Sequence, residues 1–155
     1  MRKGRTTKIL SQLFNEVWTI EIQKWRMDVA REFCRGLDNI NFIVGDAYLD
    51  RTYDNFPVHF DVAVIDCVHE YSAVISDINR AASFMRPGKT MYFIFDDYGH
   101  PEAPEVKQAI DYSLNNGLKL EKYIGQTAGF NVHRTDGTQF SLTDREGIIA
   151  SYGRI

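Results

Sequence analysis

Carboxylates recur where the short apolar runs of this chain end. Glu21 follows the run 17–20, Asp46 follows 40–44 in the turn Gly45-Asp46-Ala47, Asp66 follows 60–65, and Asp96-Asp97 follows 90–95. His69 stands three residues beyond Asp66. The opposite ends of the same runs carry only Asn39, His59 and Lys89. If the runs are strands of an open parallel sheet, their acidic ends share one rim, and such sheets bind ligands beyond the carboxyl ends of their strands.

Each group suggests a different chemistry. A strand-end acid such as Glu21 can accept both hydroxyls of a ribose. Gly45 permits close backbone approach, and Asp46 beside it can accept from an amino group such as that of adenine. Asp66, Asp96 and Asp97 are hard oxygen donors that would repel one another unless a cation neutralised them, and Mg²⁺, Mn²⁺ or Ca²⁺ suits such a set better than zinc. His69, next to them, can take a proton from a substrate hydroxyl. At the amino end, Gly4-Arg5-Thr6-Thr7 leads into a helix whose free N–H groups and dipole could receive a carboxylate or phosphate. Taken singly, each feature also reads as a solvated acid, a Thr N-cap or an exposed histidine. His100, near Asp97, is a further candidate for substrate contact.

The elements that would position these residues follow from the apolar pattern. Strand runs at 17–20, 40–44, 60–65, 90–95, 119–124 and 129–133 alternate with helical periodicity over 6–14, 23–35, 71–85 and 102–116. Gly36, Pro87-Gly88 and Asn115-Asn116-Gly117 supply the helix stops. In the third helix Val74, Ile78, Ala81, Ala82 and Met85 form the inward stripe, and Ser76, Asp77 and Arg80 are assigned to the outer face. Apolar runs such as Val-Ala-Val-Ile and Met-Tyr-Phe-Ile-Phe suit strands of a parallel sheet covered by helices on both sides. From Thr135 the sequence turns polar, and 140–155 is expected to be a closing flap or partly disordered.

Composition excludes several classes. A chain of 155 residues with 44% hydrophobic and 25% charged residues suits one globular domain, 1–155. A net charge of −3 argues against nucleic-acid or membrane binding driven by overall charge. No apolar stretch approaches the roughly 20 residues of a membrane span. With no secretory signal pattern, the expectation is a cytoplasmic protein acting on a small molecule. Cys34 and Cys67 lack paired spacing and read as two buried free thiols.

Together these residues resemble the class I S-adenosylmethionine-dependent methyltransferases, most closely the metal-dependent O-methyltransferase branch, over nearly everything from Gly4 to His133. The segment Phe60-Asp61-Val62-Ala63-Val64-Ile65-Asp66-Cys67-Val68-His69-Glu70-Tyr71 is similar to that family's Phe-Asp, apolar run, Ile-Asp-Gly-x-His-x-Tyr element, with Cys67 in place of glycine. Met85-Arg86-Pro87-Gly88-Lys89 resembles its Leu-Arg-Pro-Gly-Gly turn, and Asp96-Asp97 its acidic strand end. The resemblance implies a three-layer, Rossmann-like α/β sheet, mostly parallel with an antiparallel last strand. It implies S-adenosylmethionine held by Gly4, Thr6, Glu21, Asp46, Ala47 and Asp66, Mg²⁺ held by Asp66, Asp96 and Asp97, and His69 as the base.

The chain departs from the family pattern at its start. The family's first strand and the opening glycines of its cofactor loop would precede Gly4, where only Met1-Arg2-Lys3 stands. Truncation, a sheet that closes the gap by pairing its neighbours directly, and a strand donated by another chain each account for this; the reading adopted is an N-terminal truncation, with a weakened hold on the methionine end of the cofactor. The expected reaction is methyl transfer to a hydroxyl of a small acceptor, by a monomer or a homo-oligomer. The alternative is a truncated or degenerate domain that binds nucleoside or a partner without catalysis. A nicotinamide-dependent oxidoreductase would account for Glu21 but not for the Asp66, Asp96, Asp97 cluster.

Overall fold

The computed structural model describes residues 4–56, 59–66, 68–133 and 137–153. They divide into two compact units, Met1–Pro57 and Val58–Ile155.

The first unit is a βαβ crossover preceded by a helix. Helix α1 (Arg5–Leu13) leads to strand β1 (Val17–Glu21), helix α2 (Lys24–Phe33), strand β2 (Ile40–Val44) and one 3₁₀ turn at Asp50–Tyr53. β1 and β2 pair in parallel, from Val17 opposite Ile40 to Glu21 opposite Val44. The Asn39 side-chain amide donates to Ser11 O and Phe14 O at 2.8 and 3.0 Å, so it satisfies carbonyls that the end of α1 leaves open. Gly4 enters α1 at φ 71, and a Cβ there would lie 3.0 Å from both Ala30 Cα and Cβ. Lack of a side chain therefore gives both the left-handed turn and the close contact of α1 with α2. Val17, Thr19, Met27, Ala30 and Cys34 fill the interior. Burying Met27 alone is worth about 1.5–3 kcal/mol of apolar transfer. Cys34 is a buried free thiol whose pKa is raised by burial against an opposing pull from Lys8. Cys67 lies outside the described residues.

The second unit carries strand β3 (Val62–Ile65), helix α3 (Tyr71–Ser83), strand β4 (Met91–Phe95), helix α4 (Pro104–Asn115), and strands β5 (Lys119–Ile124), β6 (Asn131–His133), β7 (Gln139–Ser141) and β8 (Gly147–Tyr152). Its main sheet runs β3-β4-β8-β5, and β6 and β7 form a separate antiparallel ribbon. β3 and β4 are parallel, while β8 is antiparallel to both of its neighbours. Met91, Phe93 and Phe95 alternate inward from β4 against Val74 and Ile78 of α3, Val106, Ala109 and Ile110 of α4, and Ile148 and Ala150 of β8. Gly88 and Gly117 adopt φ 72 and 124 just past α3 and α4, as stop residues should.

Two sequence expectations are corrected here. The segment 140–155 is not a flap or a disordered tail in its described part, because Gly147–Tyr152 is an interior strand with Ile148 and Ala150 fully buried. Its apolar run is short and mixed with Ser151 and Gly147, so it gives little strand signal, and pairing on both sides supplies the stability instead. Asp77, assigned to the outer face of α3, is buried. Ala73 and Asp77 are four residues apart on one helix face, so the buried stripe is wider than the large apolar residues alone suggest.

Candidate functional site

In the first unit the strand ends form a hydrogen-bonded rim. The Glu21 carboxylate accepts the Gln23 N–H at 2.9 Å, and the Gly45 N–H donates to Glu21 O at 3.1 Å, which ties the ends of β1 and β2 together. Asp46 Oδ1 accepts the Tyr48 N–H at 2.9 Å in an Asx turn. Thr52 Oγ1 donates to Asp46 O at 2.6 Å and Tyr53 OH donates to Ala47 O at 2.9 Å, so the 3₁₀ turn clamps the Gly45-Asp46-Ala47 backbone from behind. A Cβ on Gly45 would lie 2.8 Å from Thr52 Cγ2, so this clamp requires glycine. The N-cap of α1 is Gly4, without a side-chain cap, and Thr6 is exposed in the first turn; Thr is not the cap.

In the second unit, Asp66, beyond β3, meets His69 and Asp97, beyond β4. One donor atom from each lies within 4.8 Å of the others, and the His69 Nε2 to Asp97 Oδ2 distance is 3.1 Å. Asp97 is at φ 58, the one non-glycine residue with positive φ among those described. Adjacent side chains on an extended backbone point to opposite sides, and this left-handed residue redirects the chain at the strand end. Asp96 stands beside the trio, outside it, with Oδ1 accepting the Asp97 N–H at 3.0 Å. Asp96 is exposed by its surface area, yet its pKa is raised, first by desolvation and then by the charge of Asp97, against the lowering bond from the Asp97 N–H, with smaller contributions from Asp66 and Glu146. A small cleft at this point is bounded by Asp66, His69, Asp96 and Asp97, with Val74 and Val106 as apolar wall.

Residues that the spacing did not single out hold this rim. Tyr98 is buried immediately after Asp97; its hydroxyl donates to Asp111 Oδ1 at 2.6 Å and accepts from Lys107 Nζ at 2.8 Å. Lys107 also bonds Asp111 at 2.7 Å and reaches Asp144 at 3.5 Å. Burial and the bond to Asp111 push the Tyr98 pKa up to about 12. Burial alone would lower the Lys107 pKa, but its bonds to Asp111 and Tyr98 outweigh that and raise it. The i,i+4 pair Lys107–Asp111 was a visible signal; its connection to Tyr98 required the fold. Buried His100 accepts the Glu102 N–H on Nδ1 at 3.1 Å, with its ring 4.2 Å from that of Phe140 and 6.4 Å from that of His69.

The fold was compared with solved structures. An O-methyltransferase from Bacillus cereus in complex with SAH superposes with a TM-score of 0.64 at 18% identity, covering 98% of this chain and 70% of that one. This is the fold of the S-adenosylmethionine-dependent methyltransferases. The N-methyltransferase NodS from Bradyrhizobium japonicum matches with a TM-score of 0.63 at 14% identity, over 99% of this chain and 81% of that one. The pre-rRNA processing protein fibrillarin from Methanococcus jannaschii matches at 0.57 and 18%, over 89% of this chain and 55% of that one. No protein-family model matches the sequence, and neither does any curated protein. The expected methyltransferase fold, with its mostly parallel strands, flanking helices and antiparallel last strand, is therefore present. No helix among the described residues is long and apolar enough to cross a membrane.

Proposed function

We propose that this chain is an S-adenosylmethionine-dependent methyltransferase that transfers the methyl group to a hydroxyl oxygen of a small molecule with the help of a divalent cation. The observation that carries the reading is the meeting of Asp66, His69 and Asp97 at the strand ends of a methyltransferase fold. Two carboxylates, with an imidazole within 4.8 Å of both, fit a divalent cation held through oxygen, and such a donor set suits Mg²⁺ or Mn²⁺. Asp66 and Asp97 would hold it, with Asp96 the nearest additional acid. When bound, such a cation lowers the pKa of a coordinated hydroxyl and stabilises the charge developing on it.

In this reading, Glu21 accepts the ribose hydroxyls of the cofactor, and Asp46 and Ala47 receive the adenine on a backbone fixed by Thr52 and Tyr53. Gly4 and Thr6 offer the uncapped N–H groups of α1 to its carboxylate. His69 donates Nε2–H to Asp97, which leaves Nδ1 to take the acceptor's proton. The acceptor oxygen then forms its bond to the methyl carbon as the carbon–sulfur bond breaks, leaving the thioether. Positioning of the acceptor contributes most of the acceleration.

The test is calorimetric titration of S-adenosylhomocysteine into the folded chain, with Mg²⁺ and with chelator, followed by Mn²⁺ titration. The reading expects S-adenosylhomocysteine to bind, Asp46→Asn to weaken it about tenfold, and Asp97→Asn to abolish cation binding. A folded chain that binds neither probe overturns it. Binding of the nucleoside with no cation effect on acceptor turnover removes the metal-assisted part and leaves the transferase.

A further inference from the structure

The helices of the first unit turn large apolar side chains outward. On α2, Trp25, Val29 and Phe33 recur at four-residue spacing, and all three are exposed, Trp25 at 64%. On α1, Ile9 and Leu13 repeat the same spacing, Leu13 at 70% exposure, and Ile22 is exposed ahead of α2. Lys8 of α1 lies 5.1 Å over the Phe33 ring, so the two helices meet beside these stripes. Scattered exposed apolar residues are ordinary; six large ones on two neighbouring helices are a patch.

The charge around this patch is as distinctive as its hydrophobicity. α1 carries Arg5 and Lys8 with no acid. α2 and the turn after it carry Lys24, Arg26, Arg31 and Arg35 against Asp28 and Glu32, in a chain whose net charge is −3. Lys24 and Arg31 share Asp28, and Arg35 pairs with Glu32. Lys8 and Arg26 lie over aromatic rings, Arg26 at 5.4 Å from the Trp25 centroid. Overall charge argues against an anionic partner, but α1, α2 and the turn after α2 together carry six cations against two acids, with Glu16, Glu21 and Asp38 outside them.

That combination selects the occupant. A second copy seated on the same face would bring two basic surfaces together. A nucleic acid would use the cations and leave Ile9, Leu13 and Ile22 in water. A surface with anionic headgroups above hydrocarbon satisfies both, as in interfacial helices with Trp, Phe and Leu inward and Lys and Arg at headgroup level. We propose that the α1–α2 face docks the protein on an anionic lipid surface, with Trp25, Phe33 and Leu13 inserted between headgroups and Arg5, Lys8 and Arg26 facing phosphates. The helices lie on the surface and do not span it.

The experiment is co-sedimentation of the chain with vesicles of phosphatidylcholine mixed with phosphatidylserine, against pure phosphatidylcholine vesicles. The Trp emission of the wild type is compared with that of Trp25→Phe. Binding is expected to the mixed vesicles alone, with a blue shift that Trp25→Phe removes. The double variants Lys8→Glu/Arg26→Glu and Leu13→Ser/Trp25→Ser should each weaken binding about tenfold or more. Leu13, Trp25 and Arg26 are exposed and Lys8 half-buried, and circular dichroism is the check that each variant folds. Failure to bind either vesicle, or binding that neither double variant weakens, overturns the proposal. So does a dimer in sedimentation velocity that Leu13→Ser/Trp25→Ser dissolves, which would assign the face to a second copy.

Discussion

Replacing Tyr98 by Phe removes one oxygen from the part-buried connection between the residue after the strand-end acids and α4. The hydroxyl it removes donates to Asp111 and accepts from Lys107, both charged. A hydrogen bond to a charged group contributes about 1.5–3 kcal/mol, and Lys107 and Asp111 remain paired at 2.7 Å in the variant, so the expected loss lies toward the lower end, about 1.5–2 kcal/mol. The pH dependence makes the test sharper. The Tyr98 pKa rises from 10.0 to about 12 on folding. Between those values the unfolded chain has lost the phenolic proton and the native chain still holds it, so the stability it contributes is complete below pH 10 and lost as pH rises toward 12. Two pKa units correspond to about 2.7 kcal/mol. Lys107, also raised, changes in the same direction. Urea unfolding at a series of pH values should therefore show Tyr98→Phe less stable at neutral pH, with the same slope m, and the gap to wild type should close through the alkaline window. A neutral-pH difference below about 0.5 kcal/mol, or a gap that stays constant through that window, would refute the reasoning.

Three further outcomes are expected. Asp96 has a raised pKa, so its ionised form costs native stability above the carboxylate range, and that cost disappears as pH falls toward 3.8. Asp96→Asn should thus raise the Tm at neutral pH, in chelator, by about 1–3 °C and leave it unchanged at acid pH in calorimetric scans. In Gly45→Ala the new methyl displaces Thr52 from Asp46 O, so dialysis should show S-adenosylhomocysteine affinity about fivefold lower, with the Tm lower by about 2–4 °C; unchanged affinity would count against a nucleoside role for the turn. Phe93, with 0% exposure at the centre of β4, should cost about 3–5 kcal/mol when replaced by Ala, read from the urea midpoint.

Much of this arrangement is legible in the sequence because it follows from local rules. β2 and β5 occupy their expected residues, and the others of the first five strands differ by one or two residues at an end, since runs of branched and aromatic residues flanked by turn chemistry have few alternatives. The gathering of acids at strand ends is also local information, because parallel strands place their carboxyl ends together. What the pattern cannot supply is backbone conformation at single residues and pairing across long separations. Two consecutive aspartates read as equivalent donors, but φ 58 at Asp97 separates them, leaving Asp97 with His69 and Asp66 while Asp96 bonds back to the Asp97 N–H. Likewise β8 carries too short an apolar run to declare itself, and its place is set by β4 and β5, far away in sequence.

The position of β8 also bears on how the molecule is made. Among the described residues β5 pairs only with β8, so during synthesis β4 and β5 leave the ribosome before the strand that joins them exists. The second unit must wait as α3 and α4 packed on an incomplete sheet, with Phe93 and Phe95 only partly covered and two open edges able to pair with other chains. Its completion is a late, long-range step. The residues of β8 then act as a latch and not as an ornament. Deleting Gly147–Tyr152 should therefore yield an aggregating chain in place of a slightly smaller folded one.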